Sequence, residues 1–230
     1  MIYFAHRGAN TQRVQNTVEA FALAQTQGAQ YYELDVHLLQ DGQLAVHHDY
    51  SLQQTAGQDV CLANLTATQL SQYPLHNPFT QHPVYVPLLT EVLPVVLPGL
   101  KLLNIEIKND QNIYPSIEEK LLKTLPQQLL PHVLFSSFDY DTLARLRALA
   151  PHTQIGLLTR NFDVQQAISL QAQSVHMNHT RFTAQIAQIC HKHNLKIYCY
   201  TVNDPALAHH LKEAGADGIF TDDITRFSAR

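Results

Sequence analysis

The chain is short of positive charge, of cysteine pairs and of long apolar runs, and each shortage removes a class of protein. Lys and Arg number 15 against 19 Asp and Glu, a formal net charge of −4 with His neutral. With no basic excess, the electrostatic footprint of a nucleic-acid binder is missing. The three cysteines, Cys61, Cys190 and Cys199, form no Cys-x-x-Cys pair and leave an odd count. Reduced structural thiols in a cytosolic protein are the simplest reading. No run approaches the ~18 apolar residues of a membrane span. No basic segment with a long apolar core opens the chain, so no secretory signal and a cytoplasmic location are expected.

The 230 residues are 45% hydrophobic and 15% charged, which supports a sizeable core and argues against disorder. Eight strand-like runs start near Ile2, Tyr31, Leu102, His132, Gln154, Ser174, Leu195 and Asp217. Segments with helical spacing separate them. Eight strand-then-helix units in a chain of this length predict an α/β protein, a (β/α)8 TIM barrel. An open doubly wound sheet is the alternative, weakened because no Gly-rich phosphate fingerprint follows strand one.

Within this alternation, Asn16-Thr17 starts a helix that Gly28 stops, and Asp41-Gly42 turns the chain into a hairpin arm over 43–47. Residues at about 50–87 are rich in Gln, Thr, Asn and Pro and hold a short helix over 66–72. They read as a loop insertion after strand two, without a core of its own, and residues 1–230 as one barrel domain. A helix over 88–96 rejoins the fold, and one is expected over 113–125. Asp139 is a plausible N-cap, Asp204-Pro205 a cap followed by proline at the first helical position, and Gly215 a C-cap.

In such a barrel the site lies at the C-terminal ends of the strands, and the polar residues fall there. His6 and Arg7 follow strand one, Glu33 and Asp35 lie late in strand two, and Glu106 and Lys108 end strand three. Ser136-Ser137, Asn178-His179, Thr201 with Asn203, and Thr221-Asp222 mark later strand ends. Glu33 and Asp35, two apart, share a face, with Leu34 and Val36 turned toward the helices. Glu106 and Lys108 repeat the pattern. Three carboxylates converging in a barrel repel one another. A hard cation relieves that, and oxygen ligands suit Mg²⁺ or Ca²⁺ better than Zn²⁺. The competing account is a salt-bridged interior in which Lys108 and Arg7 neutralise the acids.

Arg7 presents a bidentate fork matched to phosphate, and Lys108 a point charge. His6 and His48 suit a general acid/base pair, because imidazole titrates near neutral pH. His47 suits it less, since it belongs to the alternating Gln43-Ala45-His47 face of the arm. Tyr200, Phe138, Phe162 and Phe220 could touch a bound ligand, although aromatic residues more commonly pack barrels and helices.

His6-Arg7-Gly8, Asn16-Thr17, Glu33-x-Asp35-Val36, His48-Asp49 and Asn104-Ile105-Glu106-Ile107-Lys108 come in order along the chain. Ser136-Ser137-Phe138, Tyr200-Thr201-Val202-Asn203 and Gly215-x-Asp217-Gly218-Ile219-x-Thr221-Asp222 follow. Together these motifs resemble the glycerophosphodiester phosphodiesterase family, most nearly its cytosolic bacterial branch, over nearly the whole chain. The resemblance implies metal-dependent hydrolysis of glycerophosphodiesters, such as glycerophosphocholine or glycerophosphoethanolamine, to sn-glycerol 3-phosphate and an alcohol. By position it makes Glu33, Asp35 and Glu106 ligands of one divalent metal, and His6 and His48 the acid/base pair. It also makes Arg7 and Lys108 the phosphate holders and gives Asn16 an orienting part. The partner it implies is a small molecule; it leaves the oligomeric state open. One departure stands out. The family usually carries Pro-Glu before Asn-Thr, and here the residues are Val14-Gln15, which loses a negative charge. With both His and all three acids intact, Gln15 is expected to support the site rather than ligate in it. A non-catalytic phosphodiester-binding barrel and an enzyme releasing a cyclic phosphate are the competing functions.

Overall fold

The apolar runs become strands because alternate side chains find two different surroundings. The structure is a computed structural model that describes residues 1–227. On β2 (Tyr31–Leu38), Tyr32, Leu34 and Val36 turn outward into the core beneath the helices, while Glu33 and Asp35 turn into the barrel. Preceding it, β1 (Ile2–His6) leads to α1 (Val18–Thr26), whose first turn is capped by Thr17 Oγ1 accepting from Ala20 N. After β2 comes the short arm β3 (Leu44–Val46), then the insertion with α2 (Gln53–Ala56) and α3 (Ala67–Leu70), then α4 (Leu89–Val96). The rest alternates: β4 (Leu102–Ile107), α5 (Ile117–Thr124), β5 (Val133–Ser137), α6 (Tyr140–Leu149), β6 (Gln154–Thr159), α7 (Val164–Ser169). It ends with β7 (Ser174–Asn178), α8 (Ala184–Lys192), β8 (Lys196–Tyr200), α9 (Pro205–Glu213) and β9 (Gly218–Thr221).

Eight of these strands are parallel, in the order β1, β9, β8, β7, β6, β5, β4, β2, and β1 pairs with β2 to close the barrel. The expected (β/α)8 TIM barrel is therefore the fold. The arm β3 pairs antiparallel with β2 outside the parallel ring, Val36 opposite Val46 and Leu38 opposite Leu44. Register does the positioning. Glu33 lies beside Asn104 and Asp35 beside Glu106 across the β2–β4 pair, so the carboxylates of two strands meet at one level. Lower in the barrel, Phe4, Leu134, Tyr198 and Phe220 form a packed interior cluster.

Two expectations are corrected. The insertion does contribute to a hydrophobic core, a second cluster in which Leu52, Leu62, Leu65, Leu70, Leu75 and Val86 gather with Leu39 and Ala45 of the β2–β3 hairpin. Its leucines keep no helical or strand period, so their convergence is a property of the folded chain and is invisible to spacing. The helix expected from 113 starts only at Ile117. Pro115 disfavours helical backbone at Tyr114, whose N–H is instead taken by Asn109 Oδ1 at 3.0 Å. Among the described residues, no helix is long and apolar enough to cross a membrane.

Candidate active site

The turn after β1 shapes one wall of the site. Arg7 and Gly8 both have positive φ, 58° and 84°. A Cβ at Gly8 would lie 2.6 Å from the Ala20 carbonyl carbon, so only glycine lets α1 pack this closely. The turn sends the Arg7 side chain back over the strand ends. Its Nε lies 3.2 Å from Asp35 Oδ2, and its Nη1 donates to Gln15 Oε1 at 2.8 Å. Asn16, also left-handed at φ 57°, donates through Nδ2 to Asp35 Oδ2 at 2.8 Å. Asparagine tolerates this backbone region better than most residues.

Glu33, Asp35 and Glu106 each present an oxygen within 4.8 Å of the others. Lys108 Nζ donates to Glu106 Oε1 at 2.9 Å and lies 3.8 Å from Asp35 Oδ1. Burial and the Asp35 charge push Glu33 well above the usual carboxylate range, and the same two causes raise Glu106 to about 7. Burial works in the same direction on Asp35, but Arg7, Lys108 and His48 outweigh it and hold that carboxylate below its ordinary value. Burial opposes the Arg7 and Lys108 charges, yet the acids, Asp35 first for Arg7 and Glu106 first for Lys108, keep both above their ordinary values. So the salt-bridged interior exists, but two cations against three acids leave it incomplete. Asp35 is 0% exposed, and its Oδ1 has no hydrogen-bond partner among the described residues. Three mutually repelling oxygen donors with one orphaned buried oxygen fit a hard divalent cation.

Both predicted histidines stand at the cleft, each with Nδ1 against a carboxylate. His6 Nδ1 is 2.7 Å from Asp222 Oδ1, and its Nε2 is 3.9 Å from Glu33 Oε2. Asp222 also accepts from Asn10 Nδ2 and Asn203 Nδ2, each at 2.6 Å. His48 Nδ1 is 2.6 Å from Asp49 Oδ1, and its carbonyl lies 3.2 Å from the buried His37 Nε2. Burial lowers both pKa values, against the pull of Asp222 on His6 and of Asp35 on His48. The His48 side chain is 36% exposed at the mouth, the His6 side chain 14%. His47 points elsewhere, with Nε2 3.2 Å from Thr55 Oγ1.

A cleft of about 180 Å³ opens between these groups and an aromatic wall of Phe138 and Tyr200, whose rings meet edge-on at 6.3 Å. Its floor includes His176, Asn104 and Phe220. Lys108 and Asn16 bear on the site through Glu106 and Asp35. Phe162 is not there; it packs against the outer core. Asn178 caps the turn after β7, accepting from Thr180 N. The tie of Asp222 to His6 is invisible in the sequence, where Asp222 is only one of several polar residues at strand ends; 216 positions separate the pair, and only barrel closure joins them.

Eight parallel strands carrying acids, two cations and two carboxylate-held imidazoles at their C-terminal ends define a barrel enzyme centre suited to a cation and an anionic substrate. The profile of the glycerophosphoryl diester phosphodiesterase family matches residues 6–226. A glycerophosphodiester phosphodiesterase of Caldanaerobacter subterraneus is 32% identical over 228 residues, covering 96% of this chain and 94% of the relative. One of Bacillus altitudinis is 35% identical over 228 residues, covering 95% and 93%. Among solved structures, an Oleispira antarctica phosphodiesterase in complex with its product sn-glycerol-3-phosphate superposes with a TM-score of 0.86 at 27% identity. That match covers 98% of this chain and 94% of the other. The chain belongs to the glycerophosphoryl diester phosphodiesterase family and is an enzyme, a phosphoric diester hydrolase. The reading as a non-catalytic barrel gives way to that membership.

Proposed function

We propose that the protein hydrolyses glycerophosphodiesters, glycerophosphocholine or glycerophosphoethanolamine among them, to sn-glycerol 3-phosphate and an alcohol. The observation that carries this reading is the meeting of three carboxylates, Arg7 and two carboxylate-held histidines around one cleft. Glu33, Asp35 and Glu106 would hold one divalent cation, Mg²⁺ or Ca²⁺, which when bound would neutralise phosphoryl charge as a Lewis acid. Arg7 and Lys108 bind the phosphate, and Asn16 and Gln15 orient Asp35 and Arg7. Gln15 does so through a neutral amide oxygen, leaving the Arg7 charge for the substrate.

Asp222 keeps the proton of His6 on Nδ1, so Nε2 serves as the base. His6 takes the proton of the glycerol 2-hydroxyl, which lies next to phosphorus within the substrate and attacks it. The bond from phosphorus to the head-group oxygen breaks, and His48, held by Asp49 at the more open side, protonates the departing alcohol. Water then opens the cyclic phosphate, with the two imidazoles exchanging roles. Phe138 and Tyr200 offer aromatic faces to the head group, a good surface for a quaternary ammonium. The cysteines of the described chain are all unpaired, in keeping with a reducing, cytoplasmic compartment.

The test is release of sn-glycerol 3-phosphate from each diester with EDTA, with Mg²⁺ and with Ca²⁺. The expected outcome is release that EDTA abolishes and one of the cations restores. No release under any condition from folded protein sinks the reading, and a stable cyclic phosphate replaces it with a cyclising reaction.

A further inference from the structure

We infer that the floor of the cleft recognises the free terminal hydroxyl of the glycerol, through His176 and Asn104, and thereby confines the enzyme to deacylated diesters. This rests on the proposed reaction, which engages the 2-hydroxyl and leaves the one at C1 to be accounted for.

His176 lies on β7 at 0% exposure, between the rings of Tyr198 and Phe220, each 5.2 Å away. Its Nε2 is 2.8 Å from Ser174 Oγ, but its Nδ1 has no hydrogen-bond partner among the described residues. Asn104, on β4, donates through Nδ2 to Ser136 Oγ at 3.0 Å, and its Oδ1 is likewise buried without a partner. Both residues line the cleft. The fold makes room for the imidazole: a Cβ at Gly156 would come within 2.5 Å of His176 Nε2. Burying an imidazole among aromatic rings with one nitrogen unpaired is unfavourable, and a leucine would fill the space without that cost. Two unsatisfied polar atoms on one floor are what a ligand hydroxyl completes. With the Ser174 hydroxyl donating to Nε2, Nδ1 carries the proton and donates to the ligand oxygen, while the ligand hydroxyl donates to Asn104 Oδ1.

The direction of the glycerol follows from the placement of charge. Arg7 sits at the strand ends beside the three acids that would hold the cation, which sets the phosphate there, and His48 and Tyr200 border the side where the alcohol leaves. The remaining arm of the glycerol then points toward the floor. Beneath it Phe4, Leu134, Tyr198 and Phe220 fill the barrel, so an acyl chain at C1 has no path. An acyl ester there would also remove the hydroxyl hydrogen that Asn104 Oδ1 is placed to accept.

Three substrates and two ligands test this. Wild-type enzyme is assayed on glycerophosphocholine, on the phosphocholine diester of propane-1,2-diol (a methyl in place of the terminal CH₂OH), and on 1-acyl lysophosphatidylcholine. The expected kcat/KM falls at least about tenfold for the propanediol diester, because a site built to pair a hydroxyl rejects the analogue without it. No turnover of the lysolipid is expected. Equal rates on the first two, or cleavage of the lysolipid, overturn the inference. In His176→Leu the preference for the glycerol diester collapses toward unity and the melting temperature rises. A His176 that only packs the barrel would give a lower melting temperature and an unchanged preference, which again overturns it. Calorimetric binding of sn-glycerol 3-phosphate against propane-1,2-diol 1-phosphate separates the two readings. A preference of about tenfold without any turnover retains the floor site and removes the reaction. Turnover with no preference removes the floor site and retains the reaction.

Discussion

Low in the barrel, Phe4 stacks on Phe220 at 4.8 Å, and Leu134 and Tyr198 fill the remaining space. At the mouth, strands of the same ring, β1, β2, β4 and β8, present His6, Asp35, Glu106 and Tyr200 to a cleft or to one another. The strands and their period of two are common to both levels; only the inward residue changes. The lower level is matched, apolar against apolar, and its contribution is stability. The upper level is deliberately unmatched. Three acids meet two cations, Glu33 is pushed well above its ordinary range by burial and by Asp35, and Asp35 keeps an oxygen without a partner. Unmatched groups at strand ends are where a barrel keeps its chemistry, because solvent and ligand can still reach them.

The comparison predicts separable losses. The largest should come from the upper level: His6→Ala and His48→Ala should each lower kcat by about 10²–10⁴, the usual worth of general acid–base catalysis. Their melting curves should stay close to wild type. Steady-state rates beside circular dichroism decide this, and near-normal turnover in both folded variants would remove the acid/base assignment. Next comes the lower level. Phe4→Ala should cost about 3–5 kcal/mol of stability, the range for large aromatic truncations in a core. Activity per folded molecule should persist, as urea titration with activity corrected for the folded fraction will show. If activity and stability fall together, the two levels are not separable.

The smallest effect depends on pH. Burial pushes His176 down to about 3, so the folded protein keeps it neutral while an unfolded imidazole binds a proton below about 6.5. Above that value its ionisation does not affect folding, and as pH falls toward 3 the proton taken up only by the unfolded chain lowers stability by about 1.4 kcal/mol per pH unit. Urea midpoints at pH 7 and pH 5 should therefore converge more closely in His176→Leu than in wild type. An equal drop in both would place the acid sensitivity elsewhere.

How far the sequence reaches depends on the range of the interaction. Strand two could be bounded at Tyr31 and Leu38 from its own residues, because period-two patterning and flanking turns are local. Glu33, Asp35 and Glu106 could be gathered as one set because each lies on an inward face near the C-terminal end of its strand, where a barrel brings strand ends together. Asp139 and Asp204 could be named as caps for the same local reason. The helix begins at Ile117 and not at 113, because a proline such as Pro115 sets a boundary without saying how many residues the loop will take. Phe162 packs against the outer core, the commoner fate of such aromatics, because a side chain just past a strand can turn inward or outward and here turns outward.

The order of elements, the barrel, the charged strand ends and both histidines were determined by the sequence itself, since periodicity and turn chemistry act over a few residues. The clustering of the insertion leucines, the carboxylate behind His6, the amide oxygen of Gln15 on Arg7 and the unpaired nitrogen of His176 were decided only by tertiary structure. Each joins residues through closure of the ring or through space left by a neighbour, as Gly156 leaves room for the imidazole. No local pattern encodes such distances; they exist only once the eighth strand has met the first.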